Sequence, residues 1–210
     1  MAELYLQADK LQCERDGRLL FADLSFELSS KQLLWVRGAN GAGKTTLLRS
    51  LCGLGPTWGG TLHWCGELLQ KSRWQMGQEL LYLGHATGVK PSLSPLENLR
   101  WFTELRASFQ LSEYAQALAA VELKGFEDTP CFQLSAGQQR RAALARLVLL
   151  NAKVWILDEP ATALDVAGVE LLASLIDQHC EAGGAVLFTS HQALPTKAAA
   201  DEIHLDAYNG

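Results

Sequence analysis

Along this chain, short continuous runs of apolar residues alternate with stretches in which apolar positions recur every three or four residues. Residues 4–8, 24–28, 33–36, 80–84, 153–157, 184–189 and 202–205 read as strands, and 44–52, 137–150 and 167–180 as helices. Val154-Trp155-Ile156-Leu157 and Ala185-Val186-Leu187-Phe188-Thr189 have almost no polar side chain on either face, so they are predicted to be central strands of a parallel sheet covered on both sides. The alternation predicts an α/β fold. Between about 86 and 135 the pattern changes to helices without strands. Ser94-Pro95 opens one, with proline in its first turn, and Ser112 is expected to cap a second that runs to about Leu123. This stretch reads as an inserted helical subdomain. Gly53 to Gly60 and Gly183-Gly184 read as turn punctuation, and neither an internal repeat nor a low-complexity tract is visible.

At 210 residues the chain is long enough to bury a substantial core as one domain, or as one core with an insertion. Its five cysteines, at 13, 52, 65, 131 and 180, form no C-x-x-C pair and leave an odd count. That fits reduced thiols in the cytoplasm better than a secreted disulfide framework, and a zinc site is not expected. The start, Met1-Ala2-Glu3-Leu4-Tyr5, has no basic stretch followed by a long apolar one, and no run approaches the ~18 apolar residues of a membrane span, so a soluble chain is expected. A net charge of -5 without a basic cluster argues against nucleic acid as a principal partner.

Gly38-Ala39-Asn40-Gly41-Ala42-Gly43-Lys44-Thr45 matches G-x-x-x-x-G-K-[ST] between the apolar run 33–36 and the helical stretch Thr46-Leu47-Leu48-Arg49-Ser50-Leu51-Cys52. A loop in that position opens a helix amino terminus, whose unpaired amides and positive dipole end suit phosphate oxygens. Glycines at 38, 41 and 43 let the backbone approach the anion, Lys44 reaches the β- and γ-phosphates, and Thr45, followed by Thr46, is placed to hold Mg²⁺. The cofactors implied are ATP and Mg²⁺.

A second constellation follows the run 154–157. Asp158-Glu159-Pro160 puts two carboxylates at the carboxyl end of a buried strand, where open α/β sheets bind ligands. One reading has Asp158 holding Mg²⁺ through water and Glu159 polarising the water that attacks the γ-phosphorus. The other is a solvated strand end followed by a turn. A third constellation is Leu134-Ser135-Ala136-Gly137-Gln138-Gln139-Arg140-Arg141, in which Ser135 and Gln138 make an S-x-x-Q capping box ahead of a helix.

The cap leaves the rest of that string unexplained. LSAGQ resembles the LSGGQ signature of ABC-type ATPases, with Ala136 in place of a glycine. The resemblance, running from Arg15 to His191, implies a P-loop NTPase (RecA-like) core with a parallel sheet, an antiparallel β subdomain and an inserted helical subdomain. Residues 1–85 and 136–210 would form the ATP-binding core, and 86–135 the insertion. It further implies that Ser135, Gly137 and Gln138 contact the γ-phosphate held by a second subunit, so that the active form is a head-to-tail dimer, in the simplest case a homodimer. His191 matches the family's switch histidine. Thr162-Ala163-Leu164-Asp165 is similar to its subunit-contacting turn, though it equally suits the start of helix 167–180.

Two positions depart from the pattern. Where the family carries a glutamine that meets Mg²⁺ this chain has His85, and because Mg²⁺ prefers oxygen the expectation is a contact through water. Where it places an aromatic ring under the adenine, the register gives Arg15, whose guanidinium can stack on a base.

The strings Cys13-Glu14-Arg15-Asp16-Gly17, Tyr82-Leu83-Gly84-His85 and Thr189-Ser190-His191-Gln192 look like the ATP-binding subunits of bacterial cytochrome c maturation, described as haem exporter ATPases. That resemblance implies a peripheral subunit on the cytoplasmic side of the inner membrane, working with CcmB- and CcmC-like membrane-spanning subunits. No C-x-x-C-H or paired arrangement of ligands points to haem on this chain, so direct haem binding is not expected. Alternatives are an ATP-binding subunit for another solute and a low-turnover nucleotide-sensing module. A chromosome-maintenance or repair ATPase would need long coiled coils or zinc modules, which this sequence lacks.

Overall fold

The computed structural model describes residues 2–15, 17–55, 59–104 and 106–208. In chain order the elements are β1 (Leu4–Arg15), β2 (Arg18–Ser29), β3 (Leu33–Arg37), α1 (Lys44–Leu51), β4 (Gly59–Trp64), β5 (Glu67–Leu68), α2 (Leu69–Glu79), β6 (Leu80–Leu83), α3 (Pro95–Thr103), α4 (Leu111–Ala120), α5 (Ala136–Leu149), β7 (Val154–Asp158), α6 (Val166–Glu181), β8 (Ala185–Thr189) and β9 (Asp201–His204). Short 3-10 turns stand at Cys131–Gln133 and Leu205–Tyr208.

A five-stranded sheet in the order β6-β7-β8-β3-β9 is parallel throughout, and a four-stranded sheet in the order β2-β1-β4-β5 is antiparallel. Successive residues of the parallel strands point to opposite faces. Leu34, Val36, Val154, Ile156 and Leu187 pack with Leu47, Leu48 and Leu51 of α1 and with the antiparallel sheet. Trp35, Leu83, Trp155, Leu157 and Phe188 face the other way, onto α4, α5 and α6. The parallel sheet is therefore buried on both faces, as its continuous apolar strands foretold.

Several boundaries differ from expectation. β1 and β2 each run twelve residues, whereas only 4–8 and 24–28 stood out in the sequence. Lys10 at φ +48° and Asp23 at φ +54° sit where the pairing register shifts, and these irregularities break the period-two alternation beyond each half. Gly59 and Gly60 belong to β4 rather than to a turn. A Cβ on Gly60 would stand 2.3 Å from the Lys10 carbonyl oxygen, so glycine marks a close approach of two strands, which local sequence cannot reveal. The helix α2 escaped notice because only Leu69, Ser72 and Met76 are buried on it.

Gln110, not Ser112, caps α4, because the Gln110 amide donates to Glu113 Oε2 at 2.7 Å and draws the first turn earlier. Glu122, at φ +60°, then turns the chain out of the helix before Leu123. Ser94 caps α3 with Pro95 in its first turn and a reciprocal bond to Glu97, as expected. Among the described residues, 86–135 contain no strand.

At the amino end of β7 the Trp155 indole stacks on the His179 ring, with centroids 3.8 Å apart and planes 8° from parallel. Burial pushes the pKa of His179 down from 6.5 to about 4, against the pull of nearby main-chain groups. The unfolded chain therefore takes up this proton first as pH falls, and the neutral ring's contribution to stability is present above pH 6.5 and lost towards pH 4. Urea unfolding at pH 7.5 and 4.5 checks it: His179→Phe should lose less stability over that interval than the wild type.

Candidate functional site

The carboxyl ends of β3, β6, β7 and β8 lie side by side, and each leads into one part of a cleft of about 400 Å³. After β3 the chain turns through Gly38–Gly43 into α1. Gly41 and Gly43 hold φ +85° and +97°, conformations that side chains disfavour, and Gly43 caps α1 without any side-chain bond. The first amides of the helix are thus left for a ligand. A Cβ on Gly43 would stand 3.2 Å from Leu20 Cβ, which lines the same cleft. Lys44 Nζ donates to the carbonyls of Gly38 (2.7 Å) and Ala39 (3.0 Å), which keeps its ammonium folded over the loop. At the base of the loop the Ala39 amide donates to both carboxylate oxygens of Asp206, at 3.1 and 3.0 Å, while Ala42 is buried.

The second wall comes from β7. Asp158 is 1% exposed; its Oδ1 accepts from the Thr189 hydroxyl at 2.8 Å, and its Oδ2 is buried with no hydrogen-bond partner among the described residues. A buried carboxylate oxygen without a donor costs free energy unless something positive meets it. Together with the hydroxyl of Thr45, this oxygen donor set fits a hard cation such as Mg²⁺. Glu159 takes φ +50°, which costs a non-glycine residue roughly 1–2 kcal/mol. Its amide donates to Thr189 Oγ1 at 2.9 Å, and its carboxylate lies 3.7 Å from His191 Nε2. Glu159 is 14% exposed at the side chain and His191 68%, so the imidazole lies on the open rim and the carboxylate within.

Asn40, Gly41, Gly43, Lys44, Thr45 and Thr46 line the cleft from one side, and His85, Glu159 and His191 from the other. Arg15 closes it at the end of β1 and also borders a neighbouring hollow of about 310 Å³ with Arg49 and Leu54. Gly38, Ala39, Ala42 and Asp158 do not line the cleft themselves but stand close in sequence to residues that do. Ser135, Gly137 and Gln138 are not brought to it. They stand at the start of α5, Ser135 exposed and Gly137 and Gln138 half-buried, where the Gln138 amide donates to Ser135 Oγ (3.2 Å) and the Ser135 amide to Gln138 Oε1 (2.9 Å), the capping box expected from the sequence. Ala136 takes an ordinary helical φ, so the methyl that replaces a glycine hydrogen is accommodated. Asp165 caps α6 by accepting from the Gly168 amide at 2.9 Å, and also pairs with Arg141 at 2.9 Å. Ala163 before it holds φ +67°, with its carbonyl 3.0 Å from where a Cβ on Gly137 would lie.

Three contributors escaped the sequence. Thr189 reads in the sequence as the end of the apolar run 185–189 and the start of the string with His191; its part at the site follows from the parallel register that sets Asp158 beside it. Asp206 comes from the far end of the chain. Arg140 was read as part of the signature string, yet it is 1% exposed, on the helix face it shares with the buried Ala143, Leu144 and Leu147. A lone arginine at that helical spacing was a usable signal. Burial pulls its pKa down, and the nearby Asp158 and Glu159 oppose the fall.

A larger cleft, about 710 Å³, opens at the amino ends of β7 and β8 beside Lys153 and Gly184. Lys153 there is already paired with Glu79 (3.1 Å) and Glu3 (3.6 Å), and no phosphate-binding loop borders it. The chemistry favours the smaller cleft.

The family described as ABC transporter matches residues 21–162. The chain is 49% identical over 202 residues to the "Cytochrome c biogenesis ATP-binding export protein CcmA" of Hahella chejuensis, covering 96% of each. It is 50% identical over 188 residues to the protein of the same description from Vibrio vulnificus, covering 89% of this chain and 92% of that one. A solved structure from Pyrococcus furiosus superposes with a TM-score of 0.85 at 23% identity, over 98% of this chain and 99% of the other. The solved ATP-binding subunit of an ABC transporter gives 0.78 at 20% identity, over 89% and 79%. The last two likenesses establish the fold.

Gly43→Ala should lower affinity for a nucleoside triphosphate by about tenfold or more, because a Cβ there is strained at φ +97° and presses on Leu20. Calorimetric titration reads it; wild-type affinity would mean that the loop does not use this backbone to bind.

Proposed function

The chain belongs to the ABC transporter family, and from that premise we propose that it is the ATP-hydrolysing subunit of a membrane complex serving cytochrome c biogenesis. One observation carries the reading: Lys44 and the uncapped start of α1 share a single cleft with the paired side chains of Glu159 and His191. The curated relatives at 49–50% identity, described as cytochrome c biogenesis ATP-binding export proteins, supply the choice of complex.

Each step follows from what the residues can do. The backbone amides of 41–46 and the Lys44 ammonium receive the phosphates, and Arg15 at the rim lies where a guanidinium can stack on the adenine. Thr45 and the free Oδ2 of Asp158 are the oxygens that would hold Mg²⁺, with His85 reaching it only through water. When bound, Mg²⁺ would neutralise charge on the β- and γ-phosphates. Glu159 accepts a proton from the attacking water, and His191, on the rim 3.7 Å away, donates to a γ-phosphate oxygen and orients that water.

Ser135, exposed, and the half-buried Gly137 and Gln138 beside it complete the site of a second copy, giving a head-to-tail homodimer around two ATP molecules. Residues 86–135 form the helical subdomain that meets membrane partners of the CcmB and CcmC type. Trp101, half exposed, with Lys90 Nζ 3.7 Å above its ring, and Phe132, 64% exposed, give that stretch a surface for such a contact. No helix among the described residues is long and apolar enough to cross a membrane, which suits a peripheral subunit on the cytoplasmic side of the inner membrane.

Glu159→Gln should keep ATP affinity, lose hydrolysis by about a hundredfold or more, and sediment with ATP at twice the mass of the chain. Lys44→Ala should show neither binding nor the mass shift. Equal hydrolysis by wild type and Glu159→Gln would overturn the assignment of the base. His85→Gln should preserve or raise the steady-state rate, and a collapse would show that His85 does more than relay a water.

A further inference from the structure

The guanidinium of Arg140 has five N–H donors, and all five are directed at main-chain carbonyls in two strand-end loops. Nε donates to Pro160 at 2.9 Å; one terminal nitrogen donates to Gly84 (3.1 Å) and His85 (3.2 Å); the other donates to Asp158 (3.3 Å) and Glu159 (2.6 Å). The two loops follow the neighbouring parallel strands β6 and β7, and they carry His85 and Glu159 into the cleft. Arg140 is buried at 1% exposure, and among the described residues its hydrogen bonds go to these carbonyls, whose dipoles solvate its charge together with the field of the nearby Asp158 and Glu159 carboxylates. A buried cation costs more than an apolar side chain of the same length in a packed helix face, so core filling alone does not account for it.

Glu159 shows what the cation accomplishes. Its left-handed backbone is gripped at both ends, the amide by Thr189 Oγ1 and the carbonyl by Arg140. With the carbonyl released, φ can return to the ordinary negative region, and the Cα–Cβ bond then turns away from His191. The planar fork is matched to several carbonyls at once, a geometry that a lysine ammonium cannot reproduce. Arg140 also lies on α5, five residues after Ser135, so a displacement of that helix start reaches the carbonyls behind both Glu159 and His85.

We propose that Arg140 is a positioning residue for ATP hydrolysis: it holds Glu159 in its strained, water-facing conformation and locks the His85 loop to it. The proposal rests on Glu159 as the group that activates water. Steady-state MgATP hydrolysis by the full-length chain in its native membrane complex tests it, with active sites counted by ATP titration. Arg140→Lys should lower kcat about tenfold or more while KM for ATP stays within about twofold, since the phosphate loop is untouched. In the Glu159→Gln background the same change should reduce the residual rate by less than about twofold, because the group it positions is gone. Arg140→Met, which buries no charge, reads the same effects should Arg140→Lys fail to accumulate in folded form. An equal loss in both backgrounds, a KM that rises as far as kcat falls, or wild-type kcat in both Arg140 variants would overturn the positioning role. Wild-type hydrolysis in Glu159→Gln alone would instead overturn the assignment of the base, whatever Arg140 does.

Discussion

One hydroxyl joins the two acidic residues at the end of β7. Thr189 Oγ1 donates to Asp158 Oδ1 and accepts from the Glu159 amide, so the end of β8 fixes both the carboxylate buried at the end of β7 and the backbone of the residue after it. The bond exists because β7 and β8 run parallel in a register that sets Asp158 opposite Thr189. That register is held in turn by apolar side chains on both faces of the strands, packed against α1 and the antiparallel sheet below and α4, α5 and α6 above. Burial thus sets the register, and the register sets the chemistry. The free Oδ2 of Asp158 and the left-handed turn at Glu159 are local costs that the surrounding packing sustains.

The phosphate loop obeys the same logic from the other strand. β3 pairs with β8 on one side and β9 on the other, which brings Asp206, just past β9, under the loop to bind the Ala39 amide. Lys44 is pre-folded over its own loop carbonyls, and the first amides of α1 have no side-chain cap. Backbone amides and an ammonium thus meet at one end of the cleft, a donor set that suits an anion.

Much of this was legible in the residues. The continuous apolar runs at 154–157 and 185–189 marked central strands, the glycine-rich octapeptide marked a helix-opening loop, and Ser135 with Gln138 marked a helix start; each depends on neighbours within a few positions. What escaped depended on distant chain segments. Gly60 reads as a turn until β4 is seen to press against Lys10, and Thr189 and Asp206 acquire their parts only through strand order. Arg140 lies between these cases, since its place on an otherwise apolar helix face was visible while the five carbonyls around it were not.

The signature residues at the start of α5, with Ser135 exposed, do not line the cleft of their own chain, so the account requires a second copy to complete each site. The most direct measurement is a crystal structure of Glu159→Gln with ATP and Mg²⁺. The account predicts two chains related by a twofold axis, with each γ-phosphate between Lys44 of one chain and Ser135 and Gly137 of the other, and the metal beside Thr45 and Asp158. A single chain enclosing ATP, with Ser135 still in solvent, would contradict it.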